Sequence, residues 1–125
     1  LVLNGSRIGL FDAECLQALM KLDSFIYFWQ SYLPSQSDMS DFRAAPLGAK
    51  DLGDVAPAYI VTAEYDPLRD DGIHYADALT NAGIDVTHVH AAHLTHGFMR
   101  AWSVSRVANY YAQDNCAAIN SALWC

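Results

Sequence analysis

Two hydrophobic periods alternate along the second half of the chain, one typical of strands and one typical of helices. Residues 59–63 form an apolar run rich in β-branched side chains, which predicts a strand buried on both faces of a parallel sheet. An apolar stripe at helical spacing follows in residues 73–82, and Gly83 suits the position just past the end of that helix. Residues 85–90 predict a second strand. This order predicts a parallel strand, helix and strand unit with a right-handed crossover.

Two further helical patterns flank this unit. Residues 13–33 carry apolar residues at mixed three- and four-residue steps with one interruption, which predicts one broken helix or two short ones. Residues 103–123 predict a long closing helix with one face packed against the sheet. That face consists of Val104, Val107, Ala108, Tyr111, Ala118, Ile119 and Ala122. Residues 34–57 are rich in Ser, Asp and Gly and predict a surface connection, and residues 1–3 suit the end of a further strand.

The patterns together predict one α/β domain that is incomplete. Its parts are residues 1–33, 34–57 and 58–125, arranged as a parallel sheet with flanking helices. The strand at residues 59–63 is apolar on both faces, yet the predicted helices are too few to cover both, and no second set of strands pairs its edges. With 53% hydrophobic residues, the chain would then expose large apolar patches. We therefore expect it to pack against a companion segment.

Charge and composition exclude several classes of partner. The formal net charge is −7, and Lys and Arg occur only as isolated residues, so nucleic acid is not an expected partner. The longest strongly apolar run, residues 25–29, is too short to span a bilayer. The three cysteines, Cys15, Cys116 and Cys125, are an odd number without metal-like spacing, which favours free thiols and a reducing compartment.

Two polar turns follow the predicted strands. Asp66 stands where the first strand ends, and Pro67 fixes the turn; Asp70 or Asp71 can cap a helix beginning at residue 73. His96 lies in the turn after the second strand. In open α/β sheets the chemistry collects at the carboxyl ends of the strands, so Asp66 and His96 are candidate site residues. The alternatives are a turn aspartate that accepts backbone hydrogen bonds and a packed or surface histidine.

The sequence around these two turns resembles a known family. EYDPLRDDG followed by HLTHGF is similar to the carboxyl-terminal part of the hormone-sensitive-lipase-like carboxylesterases, a branch of the α/β-hydrolases. The resemblance implies that Asp66 is the acid and His96 the base of a Ser-His-Asp triad acting on small or medium carboxylic esters, without a cofactor. Gly97 would allow close backbone approach and Phe98 would anchor the loop, while Tyr65, Arg69 and Asp70 would serve turn geometry and ion pairing.

The family's other motifs are not found in these 125 residues. Its nucleophile lies in a Gly-Asp-Ser-Ala-Gly-like elbow and its oxyanion hole in a His-Gly-Gly stretch, both upstream of the two turns. The glycines around Ser6 lack the G-x-S-x-G spacing, so Ser6 is better explained as a turn serine. We therefore expect the chain to be the carboxyl-terminal portion of a longer hydrolase. The amino-terminal half, on a companion chain or a missing segment, would carry the nucleophile.

Aromatic residues in the first helical pattern allow two interpretations. An ester substrate needs apolar walls, and these residues could line its acyl pocket. Ordinary core packing is the favoured interpretation, because helical spacing alone supports the pocket. The residues concerned are Phe25, Tyr27, Phe28, Trp29 and Tyr32.

The histidines allow a rival from another class. In residues 91–96 the chain reads AAHLTH where the family tends to have Tyr-Pro-Gly-Met-Ile-His, so His93 replaces a glycine and the loop before His96 can follow a different path. His88, His90, His93 and His96 are closely spaced, and imidazole is a common zinc ligand, so a metal-binding module is one alternative. A catalytically silent hydrolase relative that binds or scaffolds is the other.

Overall fold

The computed structural model describes residues 22–33 and 35–124. Its helices and strands follow the chain in the order α1, β1, α2, β2 and α3, with bounds Leu22–Tyr32, Ala58–Tyr65, Arg69–Asn81, Val86–Thr95 and Arg106–Leu123. The strand expected at residues 1–3, the helix expected before residue 22 and Ser6 lie outside the described residues. The predicted strand, helix and strand unit is confirmed as β1, α2 and β2.

The two strands form a parallel pair in which β2 is longer than predicted. The register is continuous up to Ala63, which lies opposite Ala91; it then shifts, and Tyr65 lies opposite Thr95. The predicted end of the second strand at residue 90 is therefore wrong. Strand β1 extends as far as Tyr65, and after the shift β2 pairs with it again at Thr95, the residue before His96.

Helix α2 begins at Arg69, earlier than the predicted start at residue 73. Asp66 closes the turn before it: its Oδ1 accepts the N–H of Leu68 at 2.8 Å, and its carbonyl accepts that of Arg69 at 3.0 Å. Asp70 and Asp71 consequently lie inside the first helical turn. The prediction that one of them caps the helix is wrong, because the N-cap position belongs to Leu68.

The end of α2 agrees with the prediction for Gly83, which has a φ of 83° in the left-handed region. Its N–H donates to the Thr80 carbonyl at 3.0 Å, and the N–H of Ile84 donates to that of Leu79 at 3.0 Å. This pair of bonds closes a helix on a left-handed residue, a conformation that glycine adopts without steric cost.

Helix α2 lies close against β1. A Cβ atom added at Gly72 would be 2.7 Å from Cγ2 of Thr62, so the approach depends on glycine at this position. Leu79 and Ala76 on the helix and Thr62 on the strand are buried. These residues form the core on which the turn after β1 is built.

Helix α3 lies on the opposite face of the sheet. Tyr59 and Thr62 point to different faces because side chains alternate along a strand. Thr62 faces α2, whereas the hydroxyl of Tyr59 donates to Asp114 of α3 at 2.9 Å. One helix therefore lies on each face, but the cover is incomplete, as expected from so few helices: Tyr59 itself stays 37% exposed, and Val107 and Ile119 on α3 are 49% and 57% exposed.

The apolar face predicted for the closing helix is only partly buried. Ser105 caps the helix by accepting the N–H of Ala108 at 3.2 Å, and Ala108 is fully buried. Val104 is 87% exposed and Ile119 57%, so the prediction that the whole face packs against the sheet is wrong. Helical spacing marks which residues share a face, but not how much of that face a two-stranded sheet can cover.

A tyrosine hydroxyl occupies the edge of β2 that faces away from β1. Tyr111 on α3 accepts the N–H of Ala92 at 3.3 Å and donates to the carbonyl of His90 at 3.2 Å. Residues two apart in a strand present their backbone groups to the same side, so one side chain satisfies both groups. Its ring also meets Phe98 edge to face, with centroids 6.0 Å apart.

The connection over residues 35–57 lies at the surface, as predicted, and holds two short 3₁₀ helices, Gln36–Ser40 and Pro46–Gly48. Within it Arg43 pairs with Asp41 at 2.7 Å, and the hydrogen bond lowers the pKa of the Asp41 carboxyl to about 2. Cys116 is an exposed free thiol, whereas Cys15 and Cys125 lie outside the described residues. Among the helices described, none is long and apolar enough to cross a membrane.

Candidate functional site

Asp66 is held in place by the turn that follows β1. One carboxylate oxygen, Oδ1, accepts the backbone N–H of Leu68, and this bond fixes the side chain against its own backbone. Pro67 is buried, and the Asp66 side chain is 15% exposed. The turn role that was the alternative for Asp66 is therefore present in the structure. It uses one carboxylate oxygen and leaves Oδ2 for another partner.

His96 is placed by the end of β2. Its backbone N–H donates to the carbonyl of Tyr65 at 3.2 Å, which continues the strand pairing by one bond. Gly97 follows with a φ of 73°, and a Cβ atom there would meet nothing within 4 Å. Among the described residues nothing approaches Gly97 closely, and the role seen here is the left-handed conformation. Phe98 then begins a 3₁₀ helix, Phe98–Ala101, and is half-buried against Tyr111.

The two candidate residues meet at the carboxyl edge of the sheet. Nδ1 of His96 lies 2.9 Å from Oδ2 of Asp66, within hydrogen-bond distance of the ionised carboxylate. With the carboxylate as acceptor, the proton of the neutral imidazole is on Nδ1 and the lone pair is on Nε2. The imidazole is 48% exposed, and among the described residues Nε2 has no hydrogen-bond partner. The pair therefore presents a basic nitrogen to the outside.

A second carboxylate, that of Glu64 near the end of β1, contacts the segment before His96 and was not predicted. Oε2 of Glu64 accepts the backbone N–H of His93 at 2.6 Å and lies 3.4 Å from Nδ1 of the same residue. The hydrogen bond from this N–H lowers the pKa of the Glu64 carboxyl. His93 has a φ of 61°, so the position where the family tends to have glycine does take up a left-handed backbone. The signal available in the sequence was a charged residue at the end of an otherwise apolar strand.

The remaining histidines of the cluster have other partners. Nε2 of His88 and Nδ1 of His90 lie 3.0 Å and 3.3 Å from Oγ1 of Thr62. Across residues 22–33 and 35–124, no group of three or more His, Cys, Asp or Glu side chains is arranged to hold a metal ion. The four histidines thus contact three different residues, Thr62, Glu64 and Asp66, and do not surround a common site.

The residues flanking the acid turn agree with the predicted ion pairing. Nε of Arg69 lies 2.8 Å from Oδ1 of Asp70, and both side chains are about three-quarters buried. Nη1 of Arg69 also donates to the carbonyl of Glu64 at 3.3 Å. Arg69 thereby joins the first turn of α2 to the end of β1.

The aromatic residues of α1 do not form a core. Tyr27, Phe28 and Tyr32 are more than half exposed, and the side chain of Phe25 lies outside the described residues. Core packing, the interpretation favoured from the sequence, is therefore wrong for these three residues. The ring pairs that α1 forms within the described part of the chain join near neighbours along the helix, with Tyr27 against Phe28 and Trp29 against Tyr32.

Comparison with known proteins supplies the context for this site. A sequence model of a family described as having the alpha/beta hydrolase fold matches residues 11–100. The carboxylic ester hydrolase LipN of Mycobacterium tuberculosis is 40% identical over 98 residues, which are 78% of this chain and 25% of LipN. The carboxylesterase NlhH of the same organism is 37% identical over 106 residues, 82% of this chain and 32% of that protein.

A solved structure shows the same relationship. The crystal structure of a thermophilic carboxylesterase cloned from a metagenomic library superposes with a TM-score of 0.78 at 32% sequence identity. The superposition covers 94% of this chain and 42% of that one. The chain thus spans a quarter to a third of the curated relatives named here and less than half of the solved structure.

Proposed function

Because this chain belongs to the hormone-sensitive-lipase-like carboxylesterase branch of the α/β-hydrolase family, we propose that it supplies the acid and base of a serine esterase. Asp66 is the acid and His96 is the base. The proposed substrates are small or medium carboxylic esters, in keeping with the names of the relatives, which include an ethyl acetate hydrolase of Pseudomonas putida.

The distance of 2.9 Å between Nδ1 of His96 and Oδ2 of Asp66 carries the proposal. A serine hydroxyl is a weak nucleophile, and an imidazole must take its proton as the oxygen attacks the ester carbonyl. The exposed Nε2 of His96 is the atom that takes this proton and then gives it to the leaving alcohol. Asp66 keeps the imidazole in the required tautomer and stabilises its positive charge without itself becoming protonated.

The nucleophile and the oxyanion hole are proposed to lie on a different segment of the hydrolase. The sequence has no serine with glycines two residues before and two after it, the spacing of the tight nucleophile elbow. The relatives extend far beyond the matched region, which leaves room for both parts. This segment, on a companion chain or upstream in the same polypeptide, is the partner we propose for the half-exposed side of His96.

Labelling with a fluorophosphonate tests the proposal, because the probe reacts with an activated serine. We expect intact mass spectrometry of the native preparation to find one adduct on polypeptide outside these 125 residues. Asp66→Asn should lower kcat for a p-nitrophenyl ester by roughly 10⁴-fold, since the imidazole loses its correct tautomer. His96→Ala should remove the labelling. Asp77→Asn, which changes an exposed carboxyl on α2, is the matched control and should leave both readouts unchanged.

Two outcomes would contradict the proposal. An adduct on Ser6 or another serine of this chain would show that the nucleophile is not elsewhere. A preparation that contains the complete hydrolase and takes up no probe would point to the catalytically silent relative, and the Asp66 and His96 pair would then have a structural role.

A further inference from the structure

We propose that Glu64 is a positioning residue, which sets the backbone path from which His96 reaches Asp66. The inference rests on the proposed function, since the position of His96 matters only if its imidazole acts as the base. It adds to that function a residue outside the acid and base pair, on the strand that carries the acid.

The first observation is an irregularity in β2 immediately before His96. Ala63 lies opposite Ala91 and Tyr65 lies opposite Thr95, so Glu64 alone faces the three residues 92–94. A bulge of this kind bends the strand and changes the direction in which the following side chain points. The path of residues 92–94 therefore decides where His96 begins.

The second observation is the backbone conformation at the centre of the bulge. His93 has a φ of 61°, and it is the one non-glycine residue with a positive φ in the described part of the chain. A side chain with a Cβ atom is disfavoured in this conformation, so the bulge needs support from its surroundings.

The Glu64 carboxylate provides that support at the strained residue itself. The bond from the His93 N–H to Oε2 is short, at 2.6 Å, as expected for a charged acceptor. The imidazole of His93 is 84% exposed and adds little, because ion pairs in solvent are weak. The backbone N–H is the group that Glu64 holds.

Glu64 is also fixed from the side of the acid. Its carbonyl accepts Nη1 of Arg69 at 3.3 Å, and the backbone N–H of Arg69 donates to the carbonyl of Asp66 at 3.0 Å. One connected set of hydrogen bonds thus runs from the turn of Asp66 through Glu64 to the bulge before His96. Removing the Glu64 carboxylate breaks this set between its two halves.

The test compares Glu64→Ala with the double variant Glu64→Ala and His93→Gly. Proton NMR of the chain should show the downfield Nδ1–H signal of His96 while it is bonded to Asp66. We expect Glu64→Ala to broaden or abolish this signal. The double variant should restore it, because glycine adopts the left-handed backbone without the carboxylate. Asp77→Ala removes a carboxylate elsewhere on the surface and should leave the signal unchanged.

The same variants in the complete hydrolase should separate kcat from KM. Displacing a catalytic group by about 1 Å costs about 10²-fold in rate, so we expect Glu64→Ala to lower kcat by about tenfold to a hundredfold with KM unchanged. His93→Gly in the same background should recover most of the loss. A general loss of folding would not be repaired selectively by this second substitution.

The inference fails if Glu64→Ala keeps both the His96 signal and the full kcat, or if His93→Gly does not rescue. If Glu64→Ala does not fold, Glu64→Gln is the variant that tests the inference. Its amide oxygen can still accept the His93 N–H, so the Nδ1–H signal of His96 must persist, and its loss would contradict the inference. These failures differ from failure of the proposed function, in which Asp66→Asn itself would leave kcat unchanged.

Discussion

Replacing Gly72 with alanine tests how closely α2 must approach β1. The added Cβ atom would be 2.7 Å from Cγ2 of Thr62, far inside the ordinary carbon contact of about 3.5–4.0 Å. Thr62 has little freedom to turn away. Its side chain is buried, and its Oγ1 is within hydrogen-bond distance of His88 and His90.

The single substitution combines two opposed effects. Overpacking a well-filled site costs about 1–3 kcal/mol of unfolding free energy. Alanine inside a helix is more favourable than glycine by up to about 1 kcal/mol. Gly72→Ala should therefore destabilise the chain by about 0–3 kcal/mol, a range too wide to measure the clash itself.

Thr62→Ser isolates the clash, because it removes the Cγ2 methyl and keeps the hydroxyl. In this background we expect Gly72→Ala to stabilise the chain by up to about 1 kcal/mol through helix propensity alone. The difference between the two backgrounds, which is the coupling free energy, should be about 1–3 kcal/mol.

Urea denaturation of the four proteins, followed by circular dichroism, measures this coupling. Substitutions at independent sites add to within about 0.3–0.5 kcal/mol. A coupling below that value would show that the helix does not lie against Thr62 as described, and the packing that supports the Asp66 turn would need revision.

Two further predictions concern single groups. Tyr111→Phe removes the hydroxyl that bonds to His90 and Ala92. We expect the unfolding free energy to fall by about 0.5–1.5 kcal/mol and amide hydrogen exchange at Ala92 to become faster. Unchanged exchange at Ala92 would contradict the contact. The pKa of Glu64 in the folded chain is below its ordinary value of 4.5. The ionised carboxylate therefore stabilises the folded chain fully above that ordinary value, and this stabilisation is lost as the pH falls through the folded pKa. Thermal melts of the wild-type chain and Glu64→Gln should therefore differ at neutral pH and converge once the pH is below the folded pKa, and a difference that persists there would refute the assignment.

The meeting of Asp66 and His96 could be predicted because each follows a strand. Once two strands are parallel neighbours, their carboxyl ends lie at one edge, and residues far apart in sequence are brought together. The 2.9 Å contact also depends on the bulge before His96, which the sequence hinted at only by a histidine in place of a glycine. The family resemblance supplied the chemistry proposed for this pair, and strand order alone would have left that chemistry open.

The bounds of the elements were less predictable where tertiary contacts decide them. Alanines at 91 and 92 carry little strand preference, yet β2 continues through them because Ala91 pairs with Ala63 of β1 and the Ala92 N–H donates to the hydroxyl of Tyr111. Helix α2 starts before the predicted residue 73 because Asp66 accepts the backbone N–H groups of Leu68 and Arg69. The sequence had predicted Asp70 or Asp71 as the cap. The exposure of the α1 aromatics likewise depends on what packs against that helix, which no spacing along it can reveal.

The hydroxyl of Tyr111 makes the two edges of this small sheet unequal. An incoming strand would have to displace it before pairing with His90 or Ala92, and would lose two hydrogen bonds in doing so. An added strand would therefore pair with the free edge of β1 rather than with that of β2. The hydroxyl also hinders edge-to-edge pairing between neighbouring molecules. Replacing Tyr111 with phenylalanine should therefore make the protein more prone to aggregate as its concentration rises.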